Sequence, residues 1–199
     1  VLNLTQIVQR TFEDRLTLFT QYPFSVNLRL EGGVSMARYS YSLDSIANLY
    51  TPSGIKFAEN EISLPTPDPR YIGSAYLAYV GDNSRMGLTS PLMGNRYRFE
   101  AQRYFKSLNV WSFLGDYRKY WFAHPFSFAV RGMFIGRYGE DNDILFPLFI
   151  GNNFFVRGYT VRSFQRNNCP DEDCLNINQL VGSKIGVANA EIRFPFSGP

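Results

Sequence analysis

The feature that most constrains this chain is a period of two that runs through most of its length. In Asn27–Glu31, Leu28 and Leu30 alternate with Asn27, Arg29 and Glu31. Upstream, Leu16 and Leu18 alternate with Arg15, Thr17 and Gln21, with Phe19 as the exception. In 96–102, Arg96, Arg98, Glu100 and Gln102 share one face while Tyr97, Phe99 and Ala101 share the other. Across 187–194, Asn189, Glu191 and Arg193 oppose Ala188, Ala190, Ile192 and Phe194. Side chains alternate across a strand, so each stretch has one apolar and one charged side. None offers the i, i+3, i+4 spacing of a helix. The pattern predicts an all-β protein of about seven antiparallel strands near 11–22, 27–41, 70–81, 95–106, 109–122, 126–138 and 183–194.

Several of these strands are long against the ~5–6 residues common in soluble sheets, and they match or exceed the ~9–11 residues needed for a tilted strand to cross a bilayer. Charged residues are 19% of the 199, below the ~25% usual for soluble domains. Aromatics reach 17%, with eighteen Phe and thirteen Tyr against two Trp and one His. They crowd the strand ends at Tyr39, Tyr41, Tyr104, Phe105, Tyr117, Tyr120, Trp121 and Phe122, as the interfacial girdles of a membrane barrel would. A soluble antiparallel sandwich also alternates apolar with polar and is the competing fold. Repeated Arg and Glu on the polar face favour a wet lumen instead. A net charge of +3, evenly spread, gives no reason to expect nucleic acid as a partner.

Loop lengths supply an independent check. The links at 22–26 and 123–125 are short and contain proline, whereas 42–69 and 139–182 are long and polar or Gly-rich. If 22–26 is an inner turn, strand parity puts 42–69, 107–108 and 139–182 outside and 82–94 inside. The long loops then share one side, as in outer-membrane barrels. An odd strand number with two open edges cannot stand alone in lipid, where unpaired backbone groups are costly. The chain, which begins at Val1, is therefore expected to be one partial barrel domain over 1–199.

Residues 139–194 resemble the outer-membrane assembly-factor family, the BamA/TamA-like bacterial surface antigen barrels. The resemblance rests on Phe155-Val-Arg-Gly-Tyr159 in the longest loop, followed by Gly182-Ser-Lys-Ile-Gly-Val-Ala-Asn-Ala-Glu-Ile-Arg-Phe-Pro195. Ser90-Pro-Leu-Met-Gly-Asn-Arg-Tyr-Arg-Phe-Glu100 and Asp116-Tyr-Arg-Lys-Tyr120 look like a subgroup with a propeller before its barrel. The resemblance implies strands six to twelve of a sixteen-stranded antiparallel transmembrane barrel in the bacterial outer membrane. It implies insertion or translocation of proteins there, without cofactor. The implied partners are outer-membrane lipid, unfolded or nascent outer-membrane proteins and accessory lipoproteins. It further implies that the loop of Val156, Arg157, Gly158 and Tyr159 folds into the lumen, where Arg157 pairs with a carboxylate. The family's acidic partner lies on a later strand, and within these residues Glu191 and Glu100 are the candidates. A partly buried guanidinium needs such a partner; the plainer reading is an exposed loop arginine. Gly158 would allow unusual backbone geometry or a close approach.

Cys169 and Cys174 flank Pro-Asp-Glu-Asp in the same loop. In an extracytoplasmic setting a local disulfide is expected, with free thiols or a calcium site at Asp171, Glu172 and Asp173 as alternatives. With His124 the one histidine, no Ser-His-Asp constellation is available and no enzyme is expected. The glycines Gly32, Gly33, Gly132, Gly136 and Gly139 suggest kinks or bulges. The runner-up function is a structural anchor or passive pore for a fused soluble domain.

Overall fold

The computed structural model describes residues 2–87, 90–145, 147–158 and 180–194. Strands dominate in chain order: β1 Leu2–Ser25, β2 Leu28–Tyr50, β3 Lys56–Ser63, β4 Arg70–Asp82, β5 Arg85–Met86, β6 Pro91–Lys106, β7 Val110–Ala123, β8 Phe126–Gly139, β9 Leu148–Phe149, β10 Val181–Gly182 and β11 Lys184–Arg193. Seven of them form a continuous antiparallel wall in the order β1-β2-β4-β6-β7-β8-β11, curled into a half-barrel. β3 pairs with β2 and β5 with β6 at the margins of this wall, while β9 and β10 make a separate small ladder. Among the described residues, no helix is long and apolar enough to cross a membrane.

All seven expected strands are present, and their links fall on alternate ends as strand parity requires. The β1–β2 and β7–β8 turns are two residues each, Val26–Asn27 and His124–Pro125, the latter with a cis peptide. The expectation for 42–69 needs correction. β1 and β2 run to 24 and 23 residues, so the segment begins as strand. It turns at 51–55, where Thr51 and Ile55 share backbone and side-chain bonds, and returns as β3. One edge of β2 thus takes β3 along Asp44–Tyr50 and β4 along Leu28–Tyr39. β5 likewise shortens the 82–94 link by folding against the start of β6.

Register assigns every side chain to a face, because directly paired residues point the same way. Glu31 pairs with Ala78, Ala78 with Glu100, and Glu100 with Leu114. Val34, Ala75, Arg103, Trp111 and Tyr138 form another row of partners, of opposite parity. Arg98 on β6 reaches Glu31 on β2 across the intervening β4, at 2.7 Å. That reach requires convergence, so the charged face is concave and the apolar face convex. Nothing among the described residues covers the convex face: Leu77 is 56% exposed, Phe99 49% and Ile192 66%.

Two expectations fail here. Of the eight strand-end aromatics, only Phe105, Tyr117 and Trp121 share the convex parity; Tyr39, Tyr41, Tyr104, Tyr120 and Phe122 have the concave one. Proximity to a strand end says nothing about the face; odd or even position decides it. The wall glycines mark no bulges either, since β2 pairs with β4 and β8 with β11 without a register shift. Several instead seat aromatic rings. A Cβ on Gly33 would fall 2.6 Å from the Tyr76 ring, and one on Gly73 2.1 Å from that of Phe105. Backbone geometry demands glycine at Gly139, where φ is +146° and a Cβ would lie 2.1 Å from the Asn109 carbonyl oxygen, and at Gly94, where φ is +100° and a Cβ would lie 2.5 Å from that of Asn83.

Candidate functional site: the charged concave wall and its loop

Strand alternation and register together place a lattice of arginines and carboxylates on the concave face. Its unit is a carboxylate shared by two guanidiniums. Glu31 accepts from Arg29 Nε at 2.7 Å and from Arg98 Nη1 at 2.7 Å. Asp116 accepts from both Arg118 (Nε 3.2 Å, Nη2 2.7 Å) and Arg131 (Nε 3.1 Å, Nη2 2.9 Å). Glu191 accepts from Arg193 through Nε at 3.0 Å and Nη2 at 2.8 Å, and faces Arg157 Nη2 at 3.2 Å. The planar fork of arginine suits this two-point grip on a carboxylate.

Residues 152–158 lie against this face. Asn152 starts a tight turn, its carbonyl accepting from the amides of Phe155 and Val156 at 3.0 Å each. Phe155 and Val156 then pack against a small cluster of Met133, Ile185 and Val187, joined by Ile135, Leu148 and Ile150. Two lattice side chains hold the loop's backbone: Arg131 Nη1 donates to the Phe154 carbonyl at 3.0 Å and Asn189 Nδ2 to that of Phe155 at 3.1 Å. Gly158 has φ +105° with open space around it. It therefore supplies backbone geometry but not close approach.

The candidate pairings separate cleanly. Arg157 meets Glu191, whereas Glu100 is held by Arg98 at 2.6 and 2.9 Å. The Arg157 side chain is 79% exposed, so the pair sits in water and contributes at most about 1 kcal/mol. The ~3–5 kcal/mol lost on breaking a fully buried ion pair does not apply to it. What fixes the loop is the packing of Phe155 and Val156 and the two carbonyl contacts. Sequence reasoning missed Arg131, Asn189 and Phe155 in these roles; the signal for the first two was their concave parity, one register row on adjacent strands. Tyr159, Cys169, Cys174 and the acidic run 171–173 lie outside the described residues.

Comparison with known protein families, curated proteins and solved structures finds no match for the chain.

A second polar cluster lies on the extension of β1, β2 and β3. Asp44, 4% exposed, accepts from Arg10 Nη1 at 2.8 Å, Ser42 Oγ at 2.8 Å and Ser63 Oγ at 3.1 Å. It has the parity of the convex face, which is therefore apolar along the lower wall and charged above it. Among the described residues, no three His, Cys, Asp or Glu side chains gather as metal ligands.

Proposed function

We propose that this chain is part of an outer-membrane β-barrel of the assembly and translocation class, with hydrocarbon on the convex face and water on the concave one. The observation that carries the membrane reading is a slope. On the convex face the upper charged limit, marked on β1, β2, β6 and β11, descends in register from β2 to β11. Arg38 on β2 stands level with Asp14 on β1. Arg103 on β6 is level with Val34, four positions lower on β2. Lys184 on β11 is level with Gly32, six positions below Arg38, through Gly136, Phe113, Ala101 and Leu77. Six residues over five strand spacings is a slope of about 40°, at ~3.3 Å per residue and ~4.8 Å per strand. A flat slab crossing barrel strands tilted by ~35–45° leaves such a boundary.

The boundary residues suit an interface. Arg103 lies 5.2 Å over the Trp111 ring and Lys184 4.5 Å over that of Tyr138, cations and aromatics that keep an apolar body in lipid and a polar tip in water. At the lower limit Trp121 stacks on Phe128 at 5.5 Å, beside Lys119. Among the described residues β1 and β11 each pair with a strand on one side only, and a wall in lipid needs further strands to complete it.

The assembly role rests on the Val156-Arg157-Gly158 motif in a loop folded onto the lumen face. The loop stiffens the wall at β8 and β11 and links it to the water-filled side. The test is to reconstitute the full-length protein in liposomes and measure the folding rate of an added unfolded barrel protein. Acceleration over empty liposomes is expected. Stable insertion without acceleration would favour the other reading, a structural anchor or passive pore for a fused soluble domain.

A further inference from the structure

We infer that Arg96, Arg118 and Arg131 form a binding row for a multiply charged oxyanion of the phosphate class on the concave wall. The three are direct cross-strand partners, Arg96 with Arg118 and Arg118 with Arg131, along one register line through β6, β7 and β8. Like charges directly opposite one another destabilise a sheet, and here two such pairs run consecutively. The carboxylates nearby do not cancel them. Asp116 serves Arg118 and Arg131 together. Asp82 lies 3.6 Å from Arg96 and already accepts from the amide and hydroxyl of Ser84.

The row is graded from fixed to open. The Arg131 side chain is 14% exposed and locked by Asp116 and the Phe154 carbonyl; those of Arg118 and Arg96 are 33% and 60% exposed. They line a cavity of about 400 Å³ that Phe154 and Phe155 wall on one side. Neighbouring strands are ~4.8 Å apart, so three guanidiniums span about 10 Å. With a hydrogen bond at either end a diphosphate matches that span, and its oxygens would meet the open Arg96 fork first, since those of Arg118 and Arg131 already grip Asp116. The row faces away from the apolar side, so the ligand is a solute entering from the aqueous lumen. The inference is independent of the assembly role and needs only that the concave face meets water.

Inorganic pyrophosphate titrated calorimetrically into the detergent-solubilised full-length protein at low salt is the probe. Saturable binding is expected, weakened about tenfold in Arg96→Gln by loss of one charged hydrogen-bonding partner. It should be unchanged in Arg38→Gln, a cation on the convex face. In the absence of anion, Arg96→Gln should also raise the melting temperature, because it removes one like-charge opposition. A structural role for Arg96 through Asp82 would lower it instead. No saturable heat with the wild type, equal loss in both variants, or a lower melting temperature with unaltered affinity would each overturn the proposal.

Discussion

Asp44 and Asp116 have different consequences when removed, although each is a carboxylate gripped by arginine. Asp44 binds one guanidinium and two hydroxyls, and the Arg10 side chain, 49% exposed, can return to water. Asp44→Ala is expected to cost about 1–3 kcal/mol, the penalty for lost hydrogen bonds to a charged group. The effect should be local: faster amide hydrogen exchange in β3 and the upper half of β2, with β6–β8 unaltered. Asp116 holds Arg131, whose side chain is 14% exposed. Asp116→Asn leaves two close cations with no countercharge, one of them deeply placed, and is expected to cost about 3–5 kcal/mol. Denaturant unfolding of the full-length protein checks this; a loss under 1 kcal/mol would mean the arginines find water instead.

For the strands and the loop, the sequence is informative wherever the two faces of a strand differ in polarity. Leu28 and Leu30 against Arg29 and Glu31, or Tyr97 and Phe99 against Arg98 and Glu100, are legible because one side is apolar and the other charged. The extension was illegible for the converse reason. In Lys56–Ser63 both sides carry polar groups, with Phe57 on one and Ile62 on the other, so no period of two survives and the segment read as loop. The motif loop was legible as a motif but not as a structure. Which carboxylate Arg157 meets depends on register between strands far apart in sequence, and neighbouring letters do not encode it. The observed packing reverses the expected hierarchy within the loop. Arg157→Ala should change stability by no more than about 1 kcal/mol. Phe155→Ala, which removes a half-buried ring from the Met133–Ile185–Val187 cluster, should cost about 2 kcal/mol, below the ~3–5 of a fully buried ring. Limited proteolysis within 152–158 should accelerate for Phe155→Ala and hardly at all for Arg157→Ala; the opposite order would return the main role to the ion pair.

For the whole molecule, the convex surface is the feature that separates a membrane wall from a soluble sheet. Leu77 lies in the middle of the apolar belt, whereas Leu4, similarly exposed and of the same convex parity, lies on the extension beyond Asp14. Leu77→Arg should cost about 2–4 kcal/mol on insertion, as cations do near a bilayer midplane, and Leu4→Arg close to nothing. The measurement is the fraction of full-length protein recovered folded in the outer-membrane fraction, read by its mobility shift on heating. Equal recovery of both variants would count against hydrocarbon on this face.

Among the described residues the two ends of the wall differ in bulk. At one rim, Val26–Asn27 and His124–Pro125 reverse the chain in two residues each, beside the short β5 link; at the other stands the β2–β3 tab with its buried carboxylate. Dragging polar mass through oil is slow, and slower the more of it moves together. On the membrane reading proposed above, the slim rim would lead into the bilayer and the bulkier rim would trail on the side of entry. A wall with this taper would then have a direction of travel before any helper acted on it.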